Sequence, residues 1–396
     1  MTMTDLRSTW IAELDRRAVA LGVLVLVAGY LPLTLLGPGT DLDVGGVYHS
    51  GRSILDGSYQ VSRAPGSPVF EAATGVLHAA GGPTLVNLGS VLMATVTALA
   101  VARLLQREDH PYAAWFGLAV LVNPFVWVAG TSMVDFLWAT GFVLVGANLQ
   151  LSRHLVPAVA CYVLAAGCRV STLLVVAAVV VADAWGDPQV RRRLVAVVAA
   201  VGGLTVLVYL PPLFQLGSDI ARSAPQAAPW YVQVGRFGVK NLFFLGPVVV
   251  ALLAWSLPGL WRALPRRWAT STTLRLAVVG FVLIELLFLR FPWKLAHLIP
   301  AWLCLVLVLG ATRVLGRRGL AVLIAGQILL GVVTVNVAQP DQPDDATGGH
   351  LTFEVIEGPW LRDLRCRLEG DREIYREPGE VEALLDTWAC VVPWSE

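Results

Sequence analysis

The run AVALGVLVLVAGYLPLTLL (Ala18–Leu36) ends at Gly-Pro-Gly, and the chain continues TDLDVGGVYHSGRSILDGSY (Thr40–Tyr59). The first segment is long enough to cross a hydrocarbon core, which takes about 20 apolar residues. No small-residue cleavage site follows it, so it reads as an anchor and not as a removable signal. The second segment puts two carboxylates, Asp41 and Asp43, at the mouth of that helix. Ionised groups at a bilayer boundary are costly unless paired or used, which makes both functional candidates.

Composition agrees with the opening. Hydrophobic residues are 56% and charged residues 14%, and mean hydropathy is +0.67, whereas soluble domains run nearer a quarter charged. The sequence predicts an all-α multi-span membrane protein. A net charge of +1, with arginines strung along the chain, argues against a nucleic-acid partner. Apolar runs near 18–36, 83–104, 113–129, 135–151, 156–167, 170–183, 194–213, 241–260, 276–289, 298–311 and 319–337 give about eleven crossings. The pieces 156–167 and 170–183 meet at Arg169, as two short helices in a V or as one kinked helix; the V keeps later loops on consistent sides. Segments placed inside, such as Arg16–Arg17, Arg191–Arg193 and Arg317–Arg318, carry roughly twice the Lys and Arg of those placed outside. That bias predicts a cell-membrane protein with a cytoplasmic amino terminus, the Asp41 loop outward and an extracytoplasmic carboxyl terminus.

The expected organisation is a transmembrane domain over 1–337 and a small exterior α/β tail over 338–396. The tail opens with the polar linker QPDQPDDATGGH, then shows a strand at Leu351–Ile356 and a helix at Pro378–Cys390. About 60 residues make a marginal core alone. Its cysteines, Cys366 and Cys390, form a disulfide or remain two thiols, the exterior favouring the bond. Cys161, Cys168 and Cys304 lie in spans and read as small apolar filler.

The first outer loop, 37–82, is too long for a connector. Val44, Val47, Tyr48, Gly51, Ile54 and Leu55 recur at helical spacing, with His49, Arg52, Ser53 and Asp56 largely opposite. A second piece starts at Ser67 as cap with Pro68 next, and aligns Val69, Phe70, Ala73, Val76 and Leu77. Two such juxtamembrane helices would roof a cavity floored by the spans.

TDLD after the first span, then SRAPGSPVFE, LAAGCRVSTLL (Leu164–Leu174) and RFPWKLAHLIPAW (Arg290–Trp302) in that order resemble the GT-C superfamily of polytopic membrane glycosyltransferases. The resemblance covers residues 15–335 and rests on position and order more than on identities. It implies transfer of a sugar from a polyprenyl-phosphate donor, with inversion, to a lipid-linked, polysaccharide or protein acceptor on the outer face. The enzyme would be a hexosyl- or pentosyltransferase of envelope glycan biosynthesis. No neighbouring lysine or metal-ligand set accompanies DLD, so the sequence names no cofactor and leaves a divalent cation open.

Inverting transfer needs a carboxylate within about 3 Å of the acceptor hydroxyl proton and cations at the leaving phosphate. Asp43 is the first choice for base and Asp41 the reserve; both otherwise solvate the loop and cap the next helix. Arg169, between apolar pieces, is the sharpest phosphate candidate, against a salt bridge to Asp135 or Glu285. Arg290, Lys294, Arg63 and Lys240 complete the phosphate-binding set, with snorkelling or loop pinning as the plain alternative. His49, Asp135 and His297 are the substrate-binding candidates; Asp135 equally suits a helix cap and His49 a surface position. Glu285 is expected to pair locally with Arg290. The loop 214–240, with Trp230, Tyr231 and Arg236, is long enough for a lid. No Walker loop, HExxH, GxSxG, CxxC pair or dinucleotide fingerprint is present. The rival classes are a transporter or flippase of lipid-linked glycans and a non-catalytic envelope-synthesis scaffold.

Overall fold

The computed structural model describes residues 15–41, 43–185, 188–217, 229–292, 294–338 and 352–369. Helix α1 (Arg16–Thr34) contains a π-helical stretch over Val25–Tyr30. Asp15 starts it by accepting the Arg17 amide at 2.9 Å, and also accepts the indole N–H of Trp115 at 2.8 Å. The juxtamembrane helix α2 (Asp43–Leu55) follows, then α3 (Pro68–Gln106), which breaks at Gly81 and Gly82 just before Pro83. Gly82 has φ +64°, a conformation glycine adopts without steric cost.

Helices α4 (Ala113–Leu121) and α5 (Pro124–Gly130) meet at 67° around Asn123, whose side chain accepts the amides of Phe125 and Val126. Next come α6 (Phe136–Leu151), α7 (Leu155–Cys168) and α8 (Leu173–Ala184), with Arg169 extended between the last two. Then α9 (Pro188–Val208) bends by 49° into α10 (Leu210–Leu216). Helix α11 (Trp230–Trp268) kinks at Gly246-Pro247; α12 (Thr272–Arg290), α13 (Ile299–Thr312) and α14 (Arg317–Val332) complete the bundle. Helix α3 packs on α4 and α6, α6 on α7, α12 on α8 and α13, and α11 on α14.

Five helical stretches are long and apolar enough to cross a membrane, or seven if each bent pair is one span. Large apolar side chains such as Leu24, Val27, Trp255 and Trp261 are exposed on the bundle surface, as a lipid-facing helix requires. These features are those of a helical membrane protein.

Three local expectations are revised. The run expected to end at 337 stops being helical at Val332; Val333–Ala338 is strand β1, antiparallel to β2 (Thr352–Glu357). Valine-rich sequence serves either state, and pairing with β2 decides it. Trp230–Lys240, read as part of a loop, is the first part of α11. On the second juxtamembrane helix the buried stripe is Phe70, Glu71, Thr74 and Gly75, and Val76 is exposed. The cause is a glycine crossing: a Cβ on Gly51 would lie 2.7 Å from the Gly75 nitrogen, so α2 and α3 meet backbone to backbone.

After β2 comes α15 (Pro359–Glu369), seated against α5 and α14. Trp360 lies on Trp127, ring centroids 4.3 Å apart. Cys366 is disulfide-bonded; Cys390 and the expected helix Pro378–Cys390 lie outside the described residues. Cys161, Cys168 and Cys304 are free thiols, the last two buried.

Candidate functional site

Five segments separated in sequence converge on one cavity of about 440 Å³. The start of α2 brings Asp43, the turn before α3 brings Arg63 to Ser67, and the start of α6 brings Asp135 and Phe136. The break after α7 brings Arg169, and the turn after α12 brings Lys294 and His297. Ile284, Leu287, Phe288 and Phe291 form an apolar wall on one side.

The backbone explains each placement. Asp41 accepts the Asp43 amide on its side chain at 2.8 Å and the Val44 amide on its carbonyl, starting α2 and fixing Asp43 in its first turn. The Arg63–Gly66 turn closes through the Gly66 amide and the Arg63 carbonyl, with Gly66 at φ +94°. Glu71, fully buried in α3, pins this loop by accepting from the Tyr59 hydroxyl (2.5 Å), the Ser62 and Ser67 amides (3.2 Å each) and the Ser62 hydroxyl. Burial and the Glu71 charge hold the Tyr59 phenol above its ordinary range, so it remains a donor. Arg169 has φ −159° and ψ 111°, and Thr172 donates to its carbonyl through both amide and hydroxyl.

The charges interlock. Asp43 pairs with Arg63 and, at 2.8 Å, with Lys294, whose ammonium also lies 2.9 Å from Asp41. Asp135, 1% exposed, takes Arg63 at 2.7 Å, Arg169 at 3.5 Å and the Ser67 hydroxyl at 2.9 Å. The Arg169 guanidinium lies over the Phe136 ring, 3.9 Å from its centroid, a cation–π contact. Burial alone would raise the Asp43 carboxyl, but the charges of Arg63 and Lys294 outweigh it and hold it well below the usual carboxylate range. For Arg63, burial is overcome by Asp135 and Asp43. For Lys294 it is overcome by Asp41 and Asp43, and both cations hold their protons more firmly than usual.

Seven of the ten sequence candidates therefore belong to one constellation: Asp41, Asp43, Arg63, Asp135, Arg169, Lys294 and His297. Arg290, Lys240 and His49 are not among the residues lining it. Arg290 ends α12 against the Phe291 ring, Lys240 is buried in α11, and His49 lies beside Tyr48 on α2. Of the alternatives for Arg169, Asp135 is the partner. Glu285 accepts from Asn241 at 3.1 Å, and no Glu285–Arg290 pair occurs among the described residues. Asp135 does not cap α6 with its side chain; it gathers two arginines.

Sequence reasoning missed Ser67, Phe136 and Glu71. Ser67 looks like a helix cap, yet its hydroxyl reaches Asp135 instead. Glu71 closes the segment SRAPGSPVFE, where sequence reasoning gave it no role. The Lys294 ammonium occupies the space between Asp41 and Asp43 that a divalent cation would take, and among the described residues no three His, Cys, Asp or Glu side chains converge as cation ligands. Neither family models, curated proteins nor solved structures give a match to this chain.

Proposed function

We propose that this cavity is the active site of a GT-C-type membrane glycosyltransferase using a polyprenyl-phosphate sugar. The observation that carries the reading is the meeting of Asp43 with Arg63, Arg169 and Lys294 beside an apolar wall. A lipid phosphate needs both halves of such a site: cations for the head and an apolar flank for the first prenyl units. This reading takes α6, α7, α8 and α14 as crossings in addition to the seven candidate spans, eleven in all. On it the amino terminus is cytoplasmic and the cavity opens on the outer face.

Asp43 takes the proton of the acceptor hydroxyl as its oxygen bonds to the anomeric carbon from the face opposite the phosphate. The carbon–oxygen bond to the phosphate breaks, its electron pair stays on the leaving polyprenyl phosphate, and the configuration inverts. Charge growing on that phosphate is met by Arg169, Arg63 and Lys294. Arg169 is the first to engage, because its 3.5 Å contact with Asp135 is the loosest ion pair in the cluster. Arg63 and Lys294 moving toward the phosphate loosen their hold on Asp43. A carboxylate held so far below neutrality becomes a stronger base as its cations leave. Asp41 holds Lys294 and the start of α2, and His297 and Asp135 line the sugar's side of the cavity.

The test is Asp43→Asn in membranes supplied with radiolabelled prenyl-phosphate sugars. Transfer should fall by at least about 10²-fold, within the range of a lost general base, while the protein is inserted at wild-type level. Undiminished transfer in Asp43→Asn would rule the mechanism out. Glycan translocation that persists without any transfer would favour a flippase.

A further inference from the structure

The tail helix α15 carries a buried ion pair that the cavity does not use. Arg367 and Asp363, one turn apart, have side chains 1% and 3% exposed and meet at 2.8 Å. The Arg367 guanidinium also donates to the Leu33 carbonyl at 3.2 Å, the Thr131 hydroxyl at 3.1 Å and the Ser132 hydroxyl at 2.8 Å. Asp363 accepts from the Thr40 hydroxyl at 2.7 Å. One guanidinium–carboxylate unit therefore ties the end of α1, the residue preceding Asp41 and the loop that ends in Asp135.

Those segments are already sewn together beneath it. The Met133 amide donates to the Pro38 carbonyl at 2.9 Å, and Asn87 holds the Gly37 carbonyl at 2.8 Å. Gly39, at φ +113°, leaves no room for a Cβ beside Ser132. A guanidinium that reaches from its own helix to both α1 and the Thr131–Ser132 loop fixes distances between segments, which a surface ion pair does not.

We propose that Arg367 and Asp363 are positioning residues, through which the tail sets the spacing between the Asp41–Asp43 and Asp135 loops of the cavity. A pair serving only to brace α15 internally, one turn apart, would need none of the bonds to Leu33, Thr131 and Ser132. The kinetic arm of this inference rests on the transferase reading; its structural arm does not.

The test uses the full chain in nanodiscs, as wild type, Arg367→Lys, Asp363→Asn, the pair Thr131→Ala with Ser132→Ala, and the control Arg365→Gln. Arg365, on the same helix as Arg367, pairs with exposed Glu357 at the end of β2. Arg367→Lys keeps a charge for Asp363 and loses the fork; the Thr131/Ser132 pair removes acceptors without touching the tail. Expected is a fall in kcat of about 10- to 100-fold with donor KM within about threefold, the signature of displaced catalytic groups. Amide hydrogen exchange in peptides spanning 37–44 and 131–135 should quicken at least about tenfold, with Arg365→Gln unchanged in both. Wild-type exchange in those peptides overturns the proposal whatever the rates do, and so does wild-type kcat alongside faster exchange. If the wild-type protein transfers no sugar, the transferase reading falls, and the exchange data alone decide whether the tail orders the two loops.

Discussion

Lys294 and Asp43, far apart in the chain, meet at 2.8 Å, and this contact closes the cavity between its first and last contributing segments. Each is costly to bury alone, and each supplies the other's neutralising partner. The cluster as a whole matches Asp41, Asp43 and Asp135 against Arg63, Arg169 and Lys294.

The pH profile follows from that pairing. The folded Asp43 carboxyl lies below its unfolded value, so its ionised form, and the stability it contributes, are present above about pH 4 and lost only well below it. Lys294 is raised, so its charge persists to beyond about pH 10. Donor kcat/KM should be flat from about pH 5 to 9. In Lys294→Gln one cation is gone while burial still raises Asp43, so the acidic limb moves upward by about one unit or more. A wild-type limb near pH 6.5 would contradict Asp43 as base.

Among the described residues, Asp135 is the only carboxylate that ion-pairs with both Arg63 and Arg169. In Asp135→Ala the two guanidiniums lose their shared counter-charge inside the bundle. Removing one partner of a buried pair costs about 3 kcal/mol or more, whereas Ser67→Ala, losing one hydrogen bond to a charged group, should cost about 2 kcal/mol. Thermal unfolding of both variants in detergent gives the order, and a reversed order would show that Asp135 is not the hub.

Arg290 offers the converse. It looked as good as Lys294 in the sequence but lies against the Phe291 ring and does not itself line the cavity. Arg290→Gln should leave kcat and donor KM within about threefold, while Arg169→Gln raises donor KM at least about tenfold, since charge-assisted bonds to phosphate contribute about 1.5–3 kcal/mol. Equal effects in a membrane transfer assay would mean the phosphate lies elsewhere.

That contrast marks how far the sequence could be read. Apolar runs of span length placed most helices, because a bilayer imposes length and composition directly. Scarce charges flagged the loops that converge on this cavity, because a charge amid apolar sequence is rarely idle. What local pattern did not carry was which cation turns inward: Arg290 and Lys294 are one turn of chain apart, and only packing against Asp41 and Asp43 separates them. The roles of Ser67 and Glu71 were hidden for a related reason. Their partners, Asp135 and the Tyr59–Ser62 loop, are set by tertiary contacts. The strand at Val333–Ala338 was hidden by apolar sequence equally suited to a helix end.

The last prediction concerns the roof. Gly51 and Gly75 touch through their backbones, so a methyl on either has nowhere to go: on Gly51 it would stand 2.9 Å from the Glu71 carbonyl as well as 2.7 Å from the Gly75 nitrogen. Ordinarily Gly→Ala in a helix is stabilising by roughly 0.5–1 kcal/mol, so the sign of the measured effect is diagnostic. Here overpacking should win, with Gly51→Ala costing about 1–3 kcal/mol. Because Glu71 anchors Tyr59, Ser62 and Ser67, pushing α2 off α3 also shifts the turn that carries Arg63. Donor KM should therefore rise together with the loss of thermal stability, and Gly57→Ala, with open space around its Cβ position but φ +77°, should lower stability without moving KM. Stabilisation by Gly51→Ala would mean that the two helices do not cross at these glycines.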